Sequence, residues 1–121
     1  MSQHIVITGA NRGIGAGLAE AYRGQGATVT GTARDGSCEV KLDVSAPEGF
    51  AALTDSIGAA PVDLLICNAG IYRDKGQSLD TGYDPALWAE TFAVNVTGVF
   101  LTVQALLPHL RAAETAKVAI I

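Results

Sequence analysis

Cysteine is scarce in this 121-residue chain: only Cys38 and Cys67 occur, with no CxxC spacing and no histidine placed beside them as a metal partner. That excludes a disulfide framework or a cysteine-built metal centre, no metal being expected, and it suits a reducing, cytoplasmic compartment. Positive charge is also sparse. Eight Lys and Arg stand against 12 Asp and Glu, for a net charge of -4, so a basic nucleic-acid surface is not expected. No stretch reaches the ~18 consecutive apolar residues that a membrane span needs. Met1-Ser2-Gln3-His4 runs directly into Ile5-Val6-Ile7 with no charged lead or cleavage region, which is not a signal peptide. Repeats and low-complexity linkers are missing as well. The expectation is one soluble, intracellular domain over residues 1–121.

What the chain does have is a 49% apolar composition and 14 glycines without collagen-like periodicity, so the glycines must serve local purposes. His4 to Thr8 is a β-branched run ending at Gly9, the pattern of a buried strand. Ile14, Leu18 and Tyr22 then recur at helical spacing until Gly24 and Gly26. Ala27–Ala33 reads as a second strand and Glu39–Leu42 as a short third. Ser45 is expected to cap the next helix, with Glu48 as its capping-box partner, Pro47 in the first turn, and Phe50, Leu53 and Ile57 as the apolar stripe. Val62–Cys67 is a nearly unbroken apolar run, as in a strand covered on both faces. After a polar loop over 70–84, Asp84-Pro85 opens a long helix. Its predicted stripe is Trp88, Phe92, Val96, Val99, Val103, Leu106 and Leu110, with a kink before Pro108. Lys117–Ile121 begins another strand. This alternation predicts an α/β fold, a parallel sheet with helices on its faces.

Between the first strand and first helix lies Thr8-Gly9-Ala10-Asn11-Arg12-Gly13-Ile14-Gly15. Gly9 permits the tight turn out of the strand, while Gly13 and Gly15 let backbone approach a phosphate and let the helix pack close to the sheet. Free N–H groups at the helix start then favour a diphosphate. A glycine-rich turn with no ligand is the plainer alternative.

The turn resembles the TGxxxGxG motif of the short-chain dehydrogenase/reductase family, and three further segments match in order. Leu42-Asp43-Val44 resembles the turn at the adenine. Asn68-Ala69-Gly70 resembles the NAG motif beside the cofactor ribose, and Asn95-Val96-Thr97-Gly98 the active-site Asn segment. Ile71 and Leu107-Pro108-His109-Leu110 add a similarity to C-factor-type members. The resemblance implies a Rossmann-type doubly wound parallel sheet, cut after the start of its fifth strand. It implies cofactor contacts from Gly9, Asn11, Arg12, Gly13, Ile14, Gly15, Arg34, Asp43, Val44, Asn68, Ala69 and Gly70, and a catalytic role for Asn95. Asp43 has the plainer role of capping a turn, Asn68 of bridging strand ends, and Asn95 of satisfying a buried partner. Thr8 is expected to hydrogen-bond at the strand end. Neither His4 nor His109 has a partner suggested by spacing, and neither is expected to be catalytic.

By the same resemblance, Ala33 stands where a family member selecting NAD carries an acid, and Arg34 follows it. An arginine there can fork onto a 2′-phosphate, and Arg12 is a second cation for the same group. NADP is therefore the expected cofactor and NAD the less favoured one, although a one-residue shift would place Asp35 in the selecting position. The family's remaining machinery, a Ser and a Tyr-x-x-x-Lys, is not in these 121 residues. Tyr22, Tyr72 and Tyr83 are followed at the fourth position by Gly26, Gly76 and Leu87. The chain alone is expected not to turn over, its carbonyl or alcohol substrate belonging to a complete enzyme. The other possibility is a naturally short, non-catalytic dinucleotide-binding, signalling or interaction protein. An apolar edge at Val118–Ile121 and an uncovered long helix suggest a homo-oligomer, and neither nucleic acid nor membrane is expected as partner.

Overall fold

Five short strands form one parallel sheet in the order β3-β2-β1-β4-β5 in the computed structural model, which describes residues 2–121. They are β1 (His4–Ile7), β2 (Thr28–Ala33), β3 (Val40–Lys41), β4 (Leu64–Cys67) and β5 (Lys117–Ile120). Helix α1 (Gly13–Gly24) leads from β1 to β2, and α2 (Phe50–Ile57) from β3 to β4. A long helical crossover then joins β4 to β5. It comprises α3 (Pro85–Phe92), a π-helical turn (Ala93–Thr97) and α4 (Gly98–Ala112).

Both faces of the central strands are covered, which is why their sequences are continuously apolar rather than alternating. Ile5 and Ile7 point to the α1 side, where Ala19, Val29 and Ile66 join them. Val6, Leu65 and Cys67 point the other way, into a cluster with Phe50 and Leu53 of α2 and Leu106 and Leu110 of α4. The strand order runs outward in both directions from β1, so the reversal point lies between β1 and β4. In such sheets the crevice beyond the strands' C-terminal ends at that point is where ligands bind.

Three local expectations change. Ser45 does not cap a helix: its Oγ donates to Asp43 Oδ1 at 2.7 Å and its N–H to the same oxygen at 2.9 Å. A carboxylate two residues back outcompetes the capping box, and a short 3₁₀ turn at Pro47–Gly49 precedes α2 instead. The irregularity in the long helix falls at 93–97 and not before Pro108, which α4 carries internally. The buried face of that helix is Val94, Gly98, Thr102, Leu106 and Leu110, at intervals of four. Trp88, Phe92 and Val96, predicted to be inside, are 47%, 58% and 57% exposed, because the π-helical turn shifts the face that meets the sheet.

By length and composition the stretch Pro85–Ala112 would suffice to cross a membrane. Averaged hydropathy tolerates the Thr91, Asn95 and Gln104 that interrupt any unbroken apolar run. Within the fold its buried face packs against β4 and α2, which suits a core helix.

Candidate functional site: a crevice at the strand ends

Gly9 leaves β1 with φ +64, and Gly13 opens α1 with φ +58, both in the left-handed region that disfavours side chains. Gly15 is required by contact instead: a Cβ there would stand 2.1 Å from the Gly9 carbonyl oxygen and 2.5 Å from Asn68 Nδ2. Helix α1 therefore starts hard against the β1 turn. Its first turn receives no side-chain cap, with Arg12 extended at the N-cap, and nothing lies within 4 Å of where a Gly13 Cβ would be. Uncapped amides and an open approach together make an anion-receptive helix mouth.

Thr8 and Asn68 brace this turn. Thr8 Oγ1, 1% exposed, accepts from Asn68 N–H and Ala69 N–H, each at 3.0 Å. Asn68 Nδ2 donates to the Gly9 carbonyl at 3.0 Å, so its side chain bridges strand ends. On the other side Ala10 N–H donates to the Thr32 carbonyl at 2.9 Å. The exits of β1, β2 and β4 are thus tied into one rim.

Within that rim is a crevice of about 200 Å³. The glycine turn contributes Gly9, Asn11 and Arg12, and the end of β2 contributes Ala33, Arg34 and Asp35. Leu42 and Val44 follow β3, Ala69, Gly70 and Ile71 follow β4, and Val94 closes the side from the helix. A second cleft of about 350 Å³ continues from Ala69, Gly70 and Ile71 to Tyr72, Asn95 and Ile121. Val94 and Tyr72 are lining residues that no motif names, although each lies within two residues of a motif position.

Not every expected residue faces the crevice. Asp43 is exposed and turned toward Ser45, so its carboxylate closes an Asx turn. The Ser45 hydroxyl, then the Ser45 N–H, hold its pKa below the ordinary carboxylate value, with Arg34 adding a smaller pull. Asp35 does the same with Ser37, accepting from its N–H at 3.0 Å and its Oγ at 2.5 Å. Its pKa is lowered by the Ser37 hydroxyl first, and least by Arg12. Ile14 is 65% exposed on α1. Asn95 lies in the π-helical turn, with Oδ1 accepting from Ile71 N–H at 2.8 Å and Nδ2 donating to the Ile71 carbonyl at 2.8 Å. The amide clasps the backbone after β4 from both sides. His4 sits at the opposite end of the sheet, bonded to Pro61 O and Thr30 Oγ1. His109 reaches Gly58 O at 2.9 Å.

A doubly wound parallel sheet with a glycine-lined crevice at its switch point is a Rossmann-like α/β fold. The chain belongs to the short-chain dehydrogenase family, whose model matches residues 3–121. It is 33% identical over 129 aligned positions to a rhamnolipids biosynthesis 3-oxoacyl-[acyl-carrier-protein] reductase of Pseudomonas aeruginosa, covering 93% of this chain and 49% of the relative. A metagenomic short-chain oxidoreductase in complex with NADP superposes with a TM-score of 0.80 at 32% identity, covering 98% of this chain and 61% of that one. A 3-ketoacyl-(acyl-carrier-protein) reductase of Brucella melitensis complexed with NADH gives 0.78 at 31% identity, over 90% and 50%. The chain thus spans about half the length of the curated relatives it matches.

Proposed function

We propose that these residues form the NADP-binding part of a cytoplasmic short-chain oxidoreductase acting on a carbonyl or alcohol. One observation carries the reading: Gly9, Asn11 and Arg12, which lead into the uncapped start of α1, line the same crevice as Ala33 and Arg34. Gly9, Asn11 and Gly13 receive the diphosphate with backbone, and Ala69 and Gly70 wall the ribose. Arg12 and Arg34 face a 2′-phosphate, two cations against the single Asp35 carboxylate, whose Oδ1 is turned to Ser37. The residues fit the group, since the Gly13 approach is free and Gly15 admits no side chain. A bound nicotinamide supplies hydride exchange with the substrate carbon. Asn95 holds Ile71, and with it the wall between the two clefts.

None of Tyr22, Tyr72 or Tyr83 is followed by Lys at the fourth position, so these 121 residues bind dinucleotide without positioning a proton donor. The same observation supports the second reading, a non-catalytic dinucleotide-binding or interaction module. A reading frame that continues past Ile121 into a Ser and a Tyr-x-x-x-Lys selects the first, and NADPH binding without turnover in a chain that ends there selects the second.

The binding test is titration with NADPH and NADH by nicotinamide fluorescence. NADPH binds more tightly, and Arg12→Ala and Arg34→Ala each weaken NADPH by about tenfold, one charge-assisted phosphate contact apiece, while sparing NADH. Equal affinity for both cofactors, or tighter NADH, overturns the NADP assignment, and no binding of either overturns the function.

A further inference from the structure

Helix α4 approaches the segment after β3 more closely than any side chain would allow. A Cβ built on Gly98 would stand 2.6 Å from Val44 Cγ2, 3.0 Å from Val44 O and 3.1 Å from Val44 Cβ. Gly98 and Val44 are both buried, Val44 to 4% exposure. Val44 has a second neighbour on its other side, since it also lines the crevice with Leu42. At Gly98 it is therefore the residue that stands between the helix backbone and the ligand space.

The two sides of that contact differ in stiffness. Helix α4 is held by Leu106 and Leu110 in the core, and the Gly98 carbonyl accepts from Thr102 Oγ1 at 2.7 Å. Val44 follows a two-residue strand whose last backbone tie to β2 is Leu42 N–H to the Ala33 carbonyl at 3.0 Å, and its own turn is closed by Asp43 to Ser45 and by Ala46 N–H to Asp43 O at 3.0 Å. Pressure at the contact moves the turn and not the helix. Since the helix stands behind Val44, that movement runs into the crevice.

We infer that Gly98 is a positioning residue for the cofactor: by seating Val44 against bare helix backbone, it sets the width of the slot walled by Leu42 and Val44. Asn95, three residues earlier, holds another part of the lining through Ile71, so one stretch of helix positions both segments. This inference rests on the proposed cofactor reading, in which that slot takes the purine end of the dinucleotide.

The test is a double-mutant cycle between positions 44 and 98, read by NADPH affinity, by adenosine 2′,5′-bisphosphate affinity and by thermal melting. Gly98→Ala is expected to weaken both ligands about tenfold. In the Val44→Ala background, where the 2.6 Å contact to Cγ2 is gone while those to Val44 O and Cβ remain, Gly98→Ala is expected to cost about threefold or less relative to Val44→Ala alone. A merely structural glycine would lower the melting temperature and leave affinity of the folded fraction unchanged. Unchanged affinity in Gly98→Ala, or an equal loss from Gly98→Ala in the wild-type and Val44→Ala backgrounds, overturns the inference. Should Gly98→Ala fail to fold, the double variant must fold and bind, and its failure to do either overturns the inference too. Wild-type protein that binds neither ligand overturns the cofactor reading instead, while the melting cycle still reads the contact.

Discussion

Asn95→Asp is the sharpest single-atom perturbation the fold offers, because it exchanges a donor for an acceptor against a carbonyl. In the native clasp Oδ1 takes the Ile71 N–H and Nδ2 serves the Ile71 carbonyl, both at 2.8 Å. Asn95→Ala loses both bonds. At about 1 kcal/mol net each, and at the lower end because the site is exposed, the cost is about 1–2 kcal/mol. For a domain of this size that lowers the melting temperature by about 4–8 °C. Asn95→Asp keeps the bond to the Ile71 N–H but brings a carboxylate oxygen against the carbonyl, so near neutrality it is expected to be no more stable than Asn95→Ala. Protonation turns that oxygen into a donor and repairs the clasp. The introduced carboxyl therefore has a pKa raised in the folded state. Its stabilising bond is present below the unfolded pKa and is lost as pH rises through the folded one. Melting of wild type, Asn95→Ala and Asn95→Asp side by side at pH 4.5 and pH 7 cancels the titration of all other carboxylates. The deficit of Asn95→Asp is expected to shrink at the lower pH while that of Asn95→Ala stays constant. A pH-independent deficit, or no deficit at pH 7, refutes the clasp.

Thr32 Oγ1 is buried without a hydrogen-bond partner. Thr32→Val, which keeps the shape and removes the unpaired hydroxyl, is expected to raise stability by about 1 kcal/mol in urea unfolding, and a loss would contradict that. Burial pushes the Cys67 thiol up to about 11 from 9.0. The thiol form is the one the fold prefers, so stability holds up to pH 9 and then falls by roughly 2–3 kcal/mol towards pH 11. Cys67→Ala should lack that component of the alkaline decline in denaturant titrations, and an identical decline would refute it. Expressed as these 121 residues alone, the chain is expected to self-associate through the apolar face of Trp88, Phe92, Val96 and Phe100 and through β5, where Ile120 is 65% exposed. A monodisperse monomer in light scattering at micromolar concentration would contradict it.

The strands and the glycine turn were legible because each depends on local signals. Ile5-Val6-Ile7 has no alternative to burial on both faces, and Gly9 and Gly13 fall where the backbone turns left-handed. The site was legible as a set of motifs but not as contacts. Asp43 and Asp35 look free in the sequence, yet each is claimed by a serine two residues on, a competition decided by turn geometry. The helix face was misread for a different reason. A period of 3.6 carried through Trp88, Phe92 and Val96 assumes an unbroken α-helix, and a π-helical turn alters the register without altering composition.

That turn also explains a residue which propensity alone makes puzzling. Asparagine is a poor choice inside a helix, since its side chain competes for backbone partners. At position 95 it finds those partners in another segment, Ile71, so the competition is resolved in favour of tertiary structure. The widened turn places Val94 and Gly98 inward on either side of Asn95: Val94 on the crevice, Gly98 against Val44. A single helix thereby braces the exits of both β3 and β4, and the crevice between them keeps its shape because both walls share that support.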